Sequence, residues 1–405
     1  MSSRSLALVV LLLVAHRAMA FDVVLSTQGE YMDGYLVNGQ AFPPRVIVND
    51  PDPHPPDMLT TPPYIGGRHL NGKVCFIPPR VRHHHGQYIV ADDEYREACL
   101  DPNPPQARCS VTDPTSPFYV GVSLDGWAAF SAKGRWTRQH INVQGQPNVD
   151  QNNDPQGAKD PQGCAFLRDG RLIATDVGSE NGTNDGALMV FFPGPGGDYS
   201  TYCFLDKGLA DPGMPVLDDA DNIYVPEPQG ARVTRFSPPY PSSAADCASP
   251  GLLVTMLPQK STWLAGGANK LNIPVSITRL HHSDHFYVAG VIFPPIINEY
   301  DANGAFVRNI VPANVPKNPL GMDVGRDGTL YYAELNLDPV TFSPRCGSVS
   351  MVQFNKSGNP QPPVTLGQHL RFPDGITVVR SSKLRIKFRE LQPSPDLDPS
   401  QCGGE

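Results

Sequence analysis

A phrase of about seventeen residues recurs along the chain from residue 160 onwards, and this repeat restricts the fold more than any other feature. Each copy has a proline, a short apolar run, a polar turn and a second apolar run that is rich in Ile, Tyr and Val. The copies lie roughly 50 residues apart, a spacing that indicates a repeat architecture. They are DPQGCAFLRDGRLIATD from Asp160, DPGMPVLDDADNIYVPE from Asp211, NIPVSITRLHHSDHFYVAG from Asn272, NPLGMDVGRDGTLYYAE from Asn318 and FPDGITVVRSSKLRI from Phe372.

Two further strand patterns follow each of the four complete copies. The pattern after Asn272, for example, continues with IINEYD and AFVRNIV, and the one after Asp211 with RVTRFS and GLLVTML. Four short strands separated by Gly, Pro and Asn predict a four-stranded antiparallel meander. Because one such sheet cannot bury both of its faces, the copies must stack around an axis as propeller blades do. The predicted fold class is therefore all-β, a six-bladed β-propeller.

The blade count follows from the strand patterns. A first blade is predicted over about 72–142 from VCFIPP, QYIVADD, WAAFSA and RWTRQHI, and four full units follow it. The sixth has GITVV and KLRIKF at the C-terminus, and N-terminal strands, FDVVLST or RVIVND, complete this last blade. Seven blades remain an alternative if 21–70 form more than a closing strand. The predicted domains are a signal peptide (1–20), an N-terminal segment with the closing strand or strands (21–71), the propeller (72–390) and a Pro-rich C-terminal tail (391–405).

The first twenty residues and the cysteines indicate export. Arg4, an apolar run over 6–14 and the ending Ala-Met-Ala are typical of a secretory signal peptide cleaved after Ala20, so we expect a secreted or periplasmic protein. Eight cysteines fit an oxidising compartment, and we expect them to form structural disulfides. Their spacing leaves the pairing open, apart from a local link between Cys99 and Cys109 and a tie to the tail through Cys402.

Charge and motifs exclude several functions. The formal net charge of −8 becomes −10 without the two leader arginines, and this acidic balance argues against nucleic acid and anionic membranes as partners. No later segment is apolar enough to predict a membrane span. The chain has no G-x-S-x-G elbow, no P-loop and no G-x-G-x-x-G after a strand, so serine-hydrolase and nucleotide-binding functions have no support.

The repeat phrase resembles that of two related groups of six-bladed propellers, the NHL type and the senescence marker protein/gluconolactonase family. NPLGMDVGRDGTLYYAE and DPQGCAFLRDGRLIATD carry the NHL pattern of Pro-x-Gly, apolar strand, Asp-Gly, second strand and acid. The resemblance covers about 72–390. It is specific for the fold and poor for function, since propellers include hydrolases, lyases, dehydrogenases and binding proteins.

FPDGITVV resembles the phrase whose Asp, in gluconolactonase-like enzymes, faces the central channel, binds a divalent cation and assists hydrolysis. The resemblance therefore implies Asp374 as a catalytic residue and metal ligand, with calcium or zinc as the cofactor. Gln162 occupies the matching slot in an earlier unit and is a second candidate metal ligand. Leu320 and Val275 fill two other such slots, where the family has an Asn in a middle blade, and no E-G-P phrase opens the first blade. Asp374 is also a favoured residue for a Pro-Asp-Gly turn, and this structural interpretation stays open.

Other candidate residues are histidines and acids. Two of His83, His84 and His85 at most could face one metal, because neighbouring strand residues point to opposite sides; His84 or His85 with His140 would be the candidates. HHSDHF, with His281, His282 and His285, is interpreted as a solvated turn away from the channel. Acids recur at the ends of second strands, where they are expected to accept backbone N–H bonds from the next turn and so fix the blade. The alternative is that some of them line the mouth of the channel as general bases or cation ligands. These acids are Asp92, Asp176, Glu227 and Glu334.

Two principal functional hypotheses follow. The first is a divalent-metal-dependent hydrolase of lactones or esters, in which a cation held by Asp374 polarises the carbonyl and activates water. The second is a non-catalytic propeller that binds a small-molecule or carbohydrate ligand at the central channel, or a protein; a propeller lyase is a third. Two or more acids and an amide close together in the channel would favour the hydrolase, and an apolar channel would favour the binding protein.

Overall fold

The computed structural model describes seven N-terminal strands and most of the chain from residue 161. The strands lie at 22–28, 31–37, 45–48, 70–77, 87–92, 126–131 and 136–141, and the later ranges are 161–178, 186–194, 197–247, 258–267, 271–281, 283–338, 345–370 and 373–380. The expected signal peptide and the Pro-rich tail lie outside these residues.

The described strands form antiparallel sheets of four strands each. The first sheet is β4 (Leu70–Ile77), β5 (Gln87–Asp92), β6 (Gly126–Ser131) and β7 (Trp136–Ile141). The second is β8 (Pro161–Phe166), β9 (Leu172–Asp176), β10 (Gly186–Phe192) and β11 (Thr201–Leu209). The third is β12 (Val216–Leu217), β13 (Ile223–Glu227), β14 (Arg232–Ser237) and β15 (Gln259–Ala265), with a short 3₁₀ helix at Ala244–Asp246 before β15.

The remaining sheets continue this pattern and then join the two ends of the chain. The fourth is β16 (Pro274–Arg279), β17 (Phe286–Gly290), β18 (Ile296–Tyr300) and β19 (Phe306–Val311). The fifth is β20 (Pro319–Val324), β21 (Leu330–Glu334), β22 (Gly347–Val352) and β23 (Val364–Leu370). The sixth has the order β24 (Ile376–Arg380), β1 (Asp22–Gln28), β2 (Tyr31–Val37) and β3 (Arg45–Val48).

These sheets are arranged as the blades of a propeller, as the repeat predicts. Four of them, the second to the fifth, have side-chain surroundings described along nearly their whole length. The innermost strands contact one another in the order β4, β8, β12, β16, β20, β24 and again β4. The second strands of the repeat, such as β13 (IYVPE) and β21 (LYYAE), are buried at every residue, because neighbouring blades cover both of their faces.

The apolar core lies between successive sheets rather than inside any one of them. Trp127 of the first sheet and Phe191 of the second belong to one cluster, with ring centroids 5.6 Å apart. Tyr224 of the third and Phe286 of the fourth belong to another, at 4.6 Å. Each sheet is therefore stabilised by its neighbours, which explains why a single repeat is not an independent unit.

Two expected strands differ in the structure. GLLVTML at 251–257 was expected as the fourth strand of the third sheet, but QKSTWLA (β15) takes this place, and 251–257 lie outside the described residues. KLRIKF was expected beside GITVV in the last sheet, but β24 pairs directly with β1. The N-terminus supplies three strands through its own meander, so one strand from the C-terminus is sufficient to complete the sheet.

Disulfides link separate parts of the chain. Cys75 on β4 is bonded to Cys164 on β8, which joins the innermost strands of the first two sheets, and Cys203 is bonded to Cys247. Cys346 is also disulfide-bonded, whereas the expected roles of Cys99, Cys109 and Cys402 fall outside the described residues. Such bonds fit an extracellular protein. Across the ranges given above, no helix has the length and apolarity needed to cross a membrane.

Candidate functional site

The innermost strands approach each other closely where they begin. A Cβ atom placed on Gly375 would lie 1.5 Å from the carbonyl oxygen of Gly72, and one on Gly72 would lie 1.6 Å from that of Gln162. Gly72 also has a φ of +66°, in the left-handed region that favours glycine. Only glycines at these positions allow the starts of β24, β4 and β8 to pack backbone against backbone.

Asp374 is enclosed by this packing and is brought together with Gln162. Its carboxylate, at 1% exposure, accepts a hydrogen bond from the backbone N–H of Gly72. The amide nitrogen of Gln162 lies 3.3 Å from Oδ2 and 3.5 Å from Oδ1 of Asp374. The two residues that the repeat singled out are therefore neighbours, and they connect the first, second and sixth sheets.

Burial governs the ionisation of Asp374. Loss of solvent raises the pKa of this carboxyl to about 7, and the hydrogen bonds from Gly72 and Gln162 offset part of the increase. A carboxyl group with a pKa near neutrality has the proton affinity of a general acid or base.

The oxygens near Asp374 do not fit the expected divalent cation. The other starting positions carry Gly72, Gly213, Val275 and Leu320, none of which has a side-chain oxygen. Calcium takes six to eight oxygen ligands, and zinc prefers nitrogen and sulfur donors in a tetrahedral set. Within the described ranges, no three His, Cys, Asp or Glu residues are grouped as a metal site requires. Asp374 and Gln162 alone would hold neither ion.

The histidines occupy other places. His83, His84, His85 and His282 lie outside the described residues, and so does the side chain of His140. Nδ1 of His285 lies 2.6 Å from Oε1 of Glu299, beside a second partner of that carboxylate, Arg308. His281 lines the central cavity described below, so the expectation that the whole HHSDHF turn lies away from the channel is wrong for this residue.

Three of the acids at the ends of second strands accept backbone N–H bonds, and for Asp176 the bond comes from the following turn, as expected. Asp176 accepts a hydrogen bond from the backbone N–H of Gly178, at 2.9 Å. Glu227 and Glu334 accept bonds from the backbone N–H groups of Ala210 and Lys317, at 3.0 and 2.8 Å. The bond to Asp176 fixes the turn that follows its strand, whereas those to Glu227 and Glu334 fix the segment that enters the inner strand of the same sheet. Asp92 lies on β5, and its side-chain surroundings are outside the described part.

A cavity of about 370 Å³ lies between the innermost strands of the sheets. Its apolar lining includes Phe76, Phe166 and Leu217, and its charged lining includes Lys73 and Arg326. No carboxylate is among the described residues that line it. The cavity is within the size range of small-molecule sites, and its mixture of apolar walls and a few charged groups is typical of them.

An ion pair borders this cavity. Nζ of Lys73 lies 3.2 Å from Oδ1 of Asp323. Asp323 also accepts a 2.8 Å hydrogen bond from the backbone N–H of Val378, and the hydroxyl of Thr278 lies 3.3 Å from its Oδ1. Asp323 is satisfied in part by the N–H of Val378 and the hydroxyl of Thr278. The ammonium of Lys73 has three N–H groups, so it can donate to a ligand as well as to Asp323.

Sequence reasoning missed Lys73, Asp323 and Arg326 as site residues. A signal was present, because Lys73 and Asp323 interrupt the apolar inner strands β4 and β20 with charge. A charged residue in a strand that other sheets surround requires a partner or a ligand.

Comparisons with known proteins bear on the fold. No family model matches the chain, and no curated protein gives a significant match. A chain from the crystal structure of a nidogen/laminin complex is similar over 88% of this chain and 98% of its own, with a TM-score of 0.50 and 11% identity. A streptogramin B lyase structure (TM-score 0.46, 11% identity, 90% and 93% covered) and a putative gluconolactonase (0.41, 13%, 75% and 79%) are more distant.

The sheets, their ring of contacts and the similarity to the chain from the nidogen/laminin complex define the class of the protein, which is an all-β propeller of four-stranded antiparallel blades. At 11% identity, the likeness to this chain shows the fold alone.

Proposed function

We propose that the chain is a secreted, six-bladed propeller that binds a small organic anion with an apolar body in its central cavity. The observation that carries this proposal is the lining of the cavity, which combines Lys73 and Arg326 with aromatic and aliphatic walls and has no carboxylate among its described residues. A cationic group against apolar walls favours a carboxylate or similar acid over a neutral or cationic molecule.

The arrangement around Asp374 supports binding better than metal-dependent hydrolysis. One acid and one amide are present where the hydrolase hypothesis requires several oxygens. The cavity, by contrast, lies along the inner strands beyond the Asp374 level and is lined by residues from all of the inner strands or the turns after them. It therefore offers a ligand both space and charge.

Benzoate and phenylacetate are suitable probes for this cavity, with benzamide as the neutral comparison. We expect titration calorimetry to show binding of the acids and at least about tenfold weaker binding of benzamide, because hydrogen bonds to charged groups are the stronger ones. Arg326→Gln and Lys73→Gln should each weaken binding of the acids. Lys207→Gln, away from the cavity, is the control. Equal binding of benzoate and benzamide, or no binding of either, would contradict the proposal.

Lactone or ester hydrolysis is a second candidate, because the pKa of Asp374 is raised to about 7 and the residue occupies the repeated inner-strand position. Asp374 would serve as a general acid or base, which typically contributes about 10²- to 10⁴-fold to a rate. We expect any hydrolysis of γ-lactones or p-nitrophenyl esters to fall by about this factor in Asp374→Asn. The assay is run with and without Ca²⁺ and Zn²⁺. Activity that survives the substitution would remove Asp374 from the mechanism.

A further inference from the structure

Two buried glutamates occupy the same place in the repeat. Glu227 ends β13 in the third sheet, and Glu334 ends β21 in the fifth. Each accepts a hydrogen bond from a backbone N–H that lies two residues before the proline of the same repeat phrase, Ala210 for Glu227 and Lys317 for Glu334. Each also accepts one from a hydroxyl on the next strand. The hydroxyls belong to Thr234 in the third sheet and to Ser350, at 2.8 Å, in the fifth.

The two glutamates differ in one partner. Arg232 lies opposite Glu227 on β14 and forms a bidentate ion pair with it, with Nε 2.9 Å from Oε1 and Nη2 2.7 Å from Oε2. Burial raises the pKa of Glu227, but the bonds from Arg232 and the other donors outweigh this effect and leave it below its ordinary value. Ser348 holds the position opposite Glu334 on β22, and its hydroxyl lies 2.6 Å from Oε2. A short neutral side chain thus replaces the guanidinium.

A cavity of about 570 Å³ lies beside Glu334. Glu334, at 5% exposure, and Ser350 are buried in its wall, and the exposed side chains of Lys317, Thr365 and Gln368 lie at its rim. Arg345 also lines the cavity and pairs with Asp338. The space is large enough for an arginine-sized molecule and is open to solvent.

We propose that this cavity binds the guanidinium group of an arginine-like small molecule, which takes against Glu334 the place that Arg232 takes against Glu227. The described donors to the Glu334 carboxylate are all neutral: one backbone N–H and two serine hydroxyls. A buried carboxylate is stabilised far better by a cation that also donates hydrogen bonds, and the planar guanidinium matches a carboxylate with two parallel bonds. Lys317 at the rim favours a ligand that carries its own carboxylate, as free arginine does.

Calorimetric titration with L-arginine tests the proposal. L-citrulline is the neutral isostere, and L-lysine is a cation that lacks the planar guanidinium group. We expect arginine to bind, lysine to bind more weakly and citrulline to show no binding. Glu334→Gln should weaken arginine binding at least about tenfold, because it removes the charge and keeps the shape. Benzoate binding in the central cavity should be unchanged in this variant, so failure at one site is distinguished from failure at the other.

Two reciprocal variants use the repeat itself as the control. Ser348→Arg should recreate the third-sheet pair, abolish arginine binding and raise the melting temperature. Arg232→Ser should lower the melting temperature, and added L-arginine should raise it by more than it raises that of the wild type, whereas citrulline should not. The proposal is overturned if wild-type protein does not bind arginine at millimolar concentration, if citrulline binds equally, or if Glu334→Gln leaves the affinity unchanged. If Ser348→Arg does not fold, the Glu334→Gln titration decides alone.

Discussion

Replacing Cys75 and Cys164 together with alanine is expected to lower the free energy of unfolding by about 4.5 kcal/mol, the value for a cross-link that closes a loop of this length. The bond joins residues 89 positions apart and connects the innermost strands of the first two sheets. Without it, the unfolded chain regains the conformational freedom of that loop. Both sulfurs are buried among apolar side chains, so alanine introduces no unpaired polar group.

Urea unfolding of the double variant beside the wild type measures this effect. The matched control is the pair Cys203→Ala and Cys247→Ala, whose bond spans 44 residues. We expect the control to lose about 4 kcal/mol, slightly less because the loop is shorter. The prediction is wrong if the Cys75/Cys164 variant loses less than about 1 kcal/mol and if reductant destabilises this variant as much as it destabilises the wild type. The bond would then not hold the two inner strands together.

The second large effect concerns Asp374 and pH. The pKa of this carboxyl is about 7 in the folded protein, above the ordinary 3.8. The folded chain therefore keeps the proton up to about pH 7, while the unfolded chain releases it near pH 4. The stability that this group contributes is present at low pH and is lost as the pH rises from about 4 to about 7, by up to about 4 kcal/mol.

Asp374→Asn isolates this contribution, because asparagine keeps an acceptor for the N–H of Gly72 and does not ionise. We expect the variant to match the wild type near pH 4.5 and to be more stable at pH 8 in chemical denaturation. Subtracting the two curves removes the contributions of all groups that the two proteins share. If the wild type instead gains stability over the variant as the pH rises, the carboxylate is ionised and paired with a cation. That result would support a metal ion bound at Asp374.

Much of the fold is predictable from the sequence because each blade repeats the same pattern of short apolar strands and polar turns. The phrase around Asn318 correctly predicted β20 and β21, and the first blade was correctly placed in the part of the chain before the repeat becomes regular. The outermost strand was the weak point. In β15 the first four residues are exposed, so this outer strand has little of the apolar pattern on which strand prediction depends, and the more apolar GLLVTML fits that pattern better.

The candidate sites were less predictable because they depend on contacts between distant repeats. The Asp374–Gln162 neighbours are 212 residues apart, and only the shared slot in the phrase connected them. Lys73 and Asp323 carry no motif, and their proximity follows from the ring rather than from local sequence. The cavity beside Glu334 becomes visible only when two copies of the repeat are compared in three dimensions, since Arg232 and Ser348 follow turns of different length.

Because β1 pairs with β24, the sheet at the N-terminus can be completed only late in synthesis. Strands β1 to β3 are made first, yet the strand that completes their sheet lies more than 300 residues later. Until β24 emerges, the edge of β1 presents unpaired backbone N–H and C=O groups, which are a template for pairing with other chains. Ring closure is thus a late, non-local event, and such steps are slow and prone to aggregation. A chain that is truncated within the fifth sheet would form an open ring, with strand edges at both ends that can pair with other chains.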